Sequence, residues 1–114
     1  FSHELVSTEL FGDINRGNLD LAENGIKGMK MQIMEDQNNL KKMNIKNSAL
    51  TNSWNEYLDM QDLYLYKMLG YIKSIRKEKN ADAKATLITA SDYRRMANEY
   101  YDQAIMEATK TLNS

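Results

Sequence analysis

The chain has no proline among its 114 residues and only five glycines. Proline lacks a backbone donor and clashes with the preceding helical turn, so its absence removes the strongest interruption to helix. A chain of single-domain length with so few breaks is expected to fold as a few long helices. Leu, Ile, Val and Phe together supply 23 residues, close to the level at which a core becomes hard to build. Eight methionines and seven tyrosines add the missing apolar bulk. A core of mixed aliphatic, thioether and ring chemistry is therefore expected.

Periodicity divides the chain into three helices, at about 18–46, 50–79 and 82–112. In the first, Leu19, Ala22, Ile26, Met29, Ile33, Asp36, Leu40 and Met43 recur at spacings of three and four, and Asp36 alone of these is polar. Short polar residues in "NIKNSALTNS", residues 44–53, break this pattern. Ser53 followed by Glu56 reads as a capping box for the second helix, with Ser48 as a rival N-cap. The second seam is Trp54, Tyr57, Gln61, Tyr64, Met68, Tyr71 and Ile75, flanked by Leu58, Leu65 and Ile72. The third is Ala83, Leu87, Ala90, Tyr93, Ala97, Tyr100, Ala104, Ala108 and Leu112.

Charge agrees with this division. Asp20 and Glu23 open the first helix and Lys41, Lys42 and Lys46 close it; Glu56, Asp59 and Asp62 precede Lys67, Lys73, Arg76, Lys77 and Lys79 in the second. Acid at a helix start and base at its end is what the macrodipole favours. The third helix lacks this polarity.

Short links make successive helices antiparallel neighbours. The predicted fold class is all-α: an antiparallel up-down three-helix bundle forming a single domain over residues 1–114. A turn near Asn80–Ala81 sets Tyr57, Tyr64 and Tyr71 opposite Ala104, Ala97 and Ala90, large against small. A turn near Ser48–Ala49 sets Met43 opposite Trp54, Ile33 opposite Tyr64, Met29 opposite Met68 and Ala22 opposite Ile75. Asp36, Gln61 and Tyr100 then share one layer. Such a layer fixes register, or forms a small polar ligand site. Residues 1–17 carry Leu5, Leu10, Phe11 and Ile14 and are expected to form a short amphipathic segment, broken near Gly12 and Gly17, that acts as a fourth element or extends the first helix.

Signatures of chemistry are sparse. His3 is the sole histidine and there is no cysteine, so thiolate metal sites and disulfides are excluded. No Glu-x-x-His pair, zincin motif or phosphate-binding glycine loop occurs. Gly25 and Gly28 lack the spacing and the preceding strand of a phosphate loop; a close helix approach or a kink explains them better. No enzyme activity, cofactor or metal is expected. The net charge of −1 provides no field for nucleic acid, and no apolar run is long enough to span a membrane. The basic stretch "KSIRKEKNADAK", residues 73–84, reads as a solvated turn because Glu78 and Asp82 interrupt it.

The second helix has more apolar surface than its seam requires. Met60, Leu63, Tyr66 and Leu69 spread beyond it, and Gly70 offers a notch. These four form the candidate partner surface, to be covered by residues 1–17, by a protein partner or by a second copy. The expectation is a non-enzymatic interaction or structural module. The chain starts at Phe1 rather than Met, so removal of a leader or excision from a larger protein is expected, and a bacterial extracytoplasmic setting (secreted, periplasmic or lipid-anchored) is favoured. The alternative is the ligand-sensing bundle of a membrane receptor, with the path of residues 1–18 as the discriminator. Small helical substrates of bacterial secretion systems share a tryptophan at a helix–turn–helix, but Trp54-Asn55-Glu56 departs from their Trp-x-Gly pattern, and membership is not claimed.

Overall fold

The computed structural model describes residues 18–43 and 45–113. They form three helices, α1 (Leu19–Lys42), α2 (Ser48–Arg76) and α3 (Asn80–Asn113), with no strand among them. The assembly is a rod of 54 × 22 × 19 Å, an all-α antiparallel three-helix bundle. Expectations about residues 1–17, including whether they cover α2, fall outside the described residues.

The core repeats the predicted seams. Ala22, Ile26, Met29, Ile33 and Leu40 are buried on α1, and Tyr57, Leu58, Gln61, Tyr64, Leu65, Met68 and Ile72 on α2. On α3 the buried residues are Ala83, Ala90, Ala97 and Ala104, none more than 3% exposed. A stripe of methyl groups at heptad spacing lets α3 lie close along α2, while the bulk at the contact comes from α2. The seams give out at their ends. Met43 lies beyond α1, where its backbone is extended, and is 59% exposed; Leu112 is 87% exposed near the end of α3. Neither is a core residue, because Met43 has already left its own helix and Leu112 stands in the last turn of α3.

Several local expectations are corrected. The N-cap of α2 is Asn47, whose side-chain oxygen accepts from Leu50 N at 3.1 Å. Ser53 therefore lies inside the helix and is no cap, and Ser48 is the first helical residue. Asn47 wins because it also reaches α3: its Nδ2 donates to Thr111 Oγ1 at 2.8 Å. The earlier start leaves Glu56, Asp59 and Asp62 well past the first turn, where the macrodipole has faded. Asp59 and Asp62 serve α1 instead, accepting from Gln37 Nε2 at 2.8 Å and Lys30 Nζ at 2.9 Å. α3 does carry the favourable polarity, with Asp82 in its first turn and Lys110 in its last.

The α1–α2 register agrees with the predicted one to within about a turn. Gln37 meets Asp59 where Met60 was expected, and Arg76 binds Asp20 and Glu23, on either side of the expected Leu21. The α2–α3 register is displaced by about one turn. Tyr57 meets Tyr101, three residues before the expected Ala104, with ring centroids 5.3 Å apart, and the Arg94 guanidinium, three residues before the expected Ala97, lies 5.5 Å from the Tyr64 ring centroid. Tyr64 and Ala97 both belong to the buried core. The cause is the position of the reversal. The chain turns at Glu78, which takes up φ 57, before the Asn80–Ala81 turn assumed from sequence. Trp54 completes a tilted three-ring cluster with Tyr57 and Tyr101 at 5.2 and 6.0 Å. The rings of residues 54–64 are thus packed against one another and against α3, not arranged around a void.

Candidate functional site

α2 is the central helix, with α1 along one side and α3 along another. The ion pairs Lys30–Asp62 and Arg76–Glu23 mark the α1 side. Tyr57, Tyr64 and Gly70 mark the α3 side, where a Cβ on Gly70 would sit 3.6 Å from the Thr86 methyl. Between these flanks the outward face of α2 has no neighbouring helix among the described residues.

The four candidate surface residues divide accordingly. Met60 and Leu69 are half-buried and pack against the core cluster. Leu63 is 36% exposed and Tyr66 62% exposed. Tyr66 and Leu69, together with Gly70 and Ile72, form the apolar part of a groove of about 530 Å³. Its remaining lining is Lys67, Lys73 and Arg76 from α2, Glu23 and Lys27 from α1, and Thr86 from α3. The groove exists because Gly70 contributes no side chain where two flanking helices rise on either side. Sequence spacing marked the Gly70 notch and Tyr66. It missed Glu23, Lys27 and Thr86, which reach the groove only through the register of their helices and carry no local signal of it.

Electrostatically the groove is cationic. Arg76 Nη1 and Nη2 donate to Glu23 Oε2 and Asp20 Oδ1, and Lys27 Nζ lies 3.4 Å from Glu23 Oε1. Hydrogen bonding from Arg76 holds the Glu23 carboxyl below its usual range, with Lys27 adding to the effect, and Glu23 in turn raises Arg76 further. Glu23 is thus a fixed anion between two cations. Lys67 Nζ hovers at 6.0 Å from the Tyr66 ring centroid, at the outer limit of a cation–π contact.

The candidate polar layer lies deeper and nearer the other end. Gln61 is 6% exposed, and its Nε2 donates to Tyr57 Oη at a long 3.4 Å, one turn away on the same helix. Asp36 is half-buried and accepts from Gln32 Nε2 at 2.9 Å, also on its own helix. Tyr100 is half-buried and packs against the core cluster. The stated polar contacts of Asp36 and Gln61 thus run along their helices. Burial pushes the nearby Tyr64 hydroxyl above the usual tyrosine range, against the opposing pull of Arg94.

Among the described residues, no group of three or more His, Asp or Glu could hold a metal ion, and no helix is long and apolar enough to cross a membrane. No family model, curated protein or solved structure matches the chain.

Proposed function

We propose that this chain is a non-enzymatic helical interaction module that meets a protein partner through the outward face of α2. The observation that carries the reading is the groove: Tyr66, Leu69 and Gly70 expose apolar surface on a helix whose other sides are covered by α1 and α3. Exposed rings and aliphatic groups rimmed by charge are the usual make-up of a protein-binding patch. The sparse chemistry elsewhere agrees. Asp36, Gln61 and Tyr100, the candidate polar layer, offer one carboxylate, one amide and one phenol.

Site-specific photocrosslinking tests this. A photoreactive phenylalanine analogue replaces Tyr66 in one variant and the exposed Glu99 on α3 in another. In cells that make the protein, discrete adducts are expected from position 66 and not from position 99. Equal labelling at both positions would refute the assignment of the surface. An adduct of twice the chain mass, matched by dimer in light scattering, would make the partner a second copy.

A further inference from the structure

We infer that the groove on α2 receives an acidic amphipathic helix of a partner protein. This deepens the interaction reading above and rests on it.

Charge supplies the first argument. Four cations, Lys27, Lys67, Lys73 and Arg76, line the groove against one carboxylate, Glu23, in a chain whose net charge is −1. Positive potential is therefore concentrated here against the sign of the whole molecule. Because Arg76 and Lys27 share Glu23, and Arg76 also holds Asp20, Lys67 and Lys73 are the cations that the stated ion pairs leave to a partner. Both line the groove together with Tyr66, Leu69 and Ile72, so the complementary ligand carries apolar groups with acids beside them.

Shape supplies the second. The groove follows α2 from Tyr66 to Arg76, about 15 Å at the helical rise, which matches two to three turns of a second helix. Gly70 sits mid-way along this stretch and contributes no side chain, and a Cβ there would be in ordinary contact with the Thr86 methyl of α3. A helix backbone can approach closely where there is no side chain. The site is recessed between α1 and α3, which disfavours a flat membrane surface. Two of its cations, Lys27 and Arg76, already share Glu23, which disfavours a single phosphate.

The test titrates the full chain with a synthetic helical peptide carrying leucines at i, i+3, i+4 and i+7 and glutamates on both flanks. The same peptide with lysines in place of the glutamates is the control, and phosphatidylglycerol vesicles and inorganic phosphate are further arms. Amide shifts are expected at Tyr66, Gly70, Lys73, Lys27 and Thr86 with the acidic peptide alone. Lys73→Glu, an exposed substitution with little bearing on folding, is expected to weaken binding about tenfold, and the loss should shrink with added salt. Gly70→Leu fills the notch and is expected to abolish binding; circular dichroism checks that it folds, and Lys73→Glu decides the matter if it does not. Equal binding of the basic peptide, binding insensitive to Lys73→Glu, tighter association with vesicles or phosphate, or no shift at these residues would each overturn the inference. Failure here with specific crosslinking at Tyr66 would reject the acidic helix while leaving the interaction surface intact.

Discussion

Replacing Tyr64 with alanine is the most searching perturbation of this core. Tyr64 is 1% exposed, the largest of the fully buried side chains, and lies beneath Arg94 of α3. A buried aromatic side chain removes roughly 150–250 Å² from water, of which alanine retains a minor part. At about 25 cal/mol per Å², losing some 120–150 Å² costs about 3–4 kcal/mol before any cavity is counted. A cavity between α2 and α3 adds to this, because the alanine stripe of α3 has no longer side chain to collapse into it. The expected cost is about 3–5 kcal/mol, in line with ring-to-alanine substitutions elsewhere. Equilibrium urea unfolding, read by far-ultraviolet circular dichroism and by the single Trp54, measures it. With a slope of about 2 kcal/mol/M, the midpoint falls by about 2 M. If the variant fails to fold, Tyr64→Leu keeps most of the volume and gives a smaller graded loss. A change below about 1 kcal/mol for Tyr64→Ala would refute the claim that this ring holds α3 on α2.

Ala97→Leu inserts three carbons into a site that is 0% exposed and is expected to cost about 1–3 kcal/mol by overpacking; the same change at the exposed Asn98 should be nearly neutral in the same urea experiment. Asn47→Ala removes the α2 cap and the bond to Thr111, with an expected loss of about 1–2 kcal/mol; Asn47→Ser should recover the capping share. Gly25→Ala and Gly28→Ala meet nothing within 4 Å and lie inside α1, so each is expected to raise stability by about 0.5–1 kcal/mol, visible as a higher melting temperature. Glu23 has a lowered folded-state pKa, so its contribution is complete above the ordinary carboxylate value of about 4.3 and is lost as pH falls through the folded value. The stability difference between the parent and Arg76→Gln should accordingly shrink in acid, and a difference constant from neutral pH to strong acid would refute the role of the pair.

The helices were legible in sequence because helix formation and amphipathicity are local. The seam Ala22, Ile26, Met29, Ile33 and the alanines at 83, 90, 97 and 104 follow from a repeat near the helical period, and all are buried. The α1–α2 register was nearly legible as well, with the polar contacts Gln37–Asp59 and Arg76–Glu23 falling close to the expected pairs. The α2–α3 register was not. Glu78 in a left-handed conformation reverses the chain earlier than residue types suggested, and a heptad pattern moved by one turn still matches itself. The cap at Asn47 was missed for a related reason: its choice over Ser53 involves Thr111 on a helix more than sixty residues later. The acids at 59 and 62 looked like macrodipole partners and are cross-helix partners of Gln37 and Lys30.

Of the candidate surface, sequence could count the surplus apolar residues on α2 but not divide them. Met60 and Leu69 are half-buried against the core while Leu63 and Tyr66 face outward, a division set by where the flanking helices lie around α2. The groove is further from sequence still. It needs Glu23 and Lys27 beside Arg76, and Thr86 beside Gly70, and those neighbours come from three helices. The sequence by itself determined three amphipathic helices and which face of each is apolar, since backbone hydrogen bonding repeats every 3.6 residues and hydrophobic spacing records it. Only the tertiary structure decided how the helices slide and rotate against one another, because turn geometry and side-chain packing act between segments distant in the chain. The cationic groove on α2 is a product of that second step.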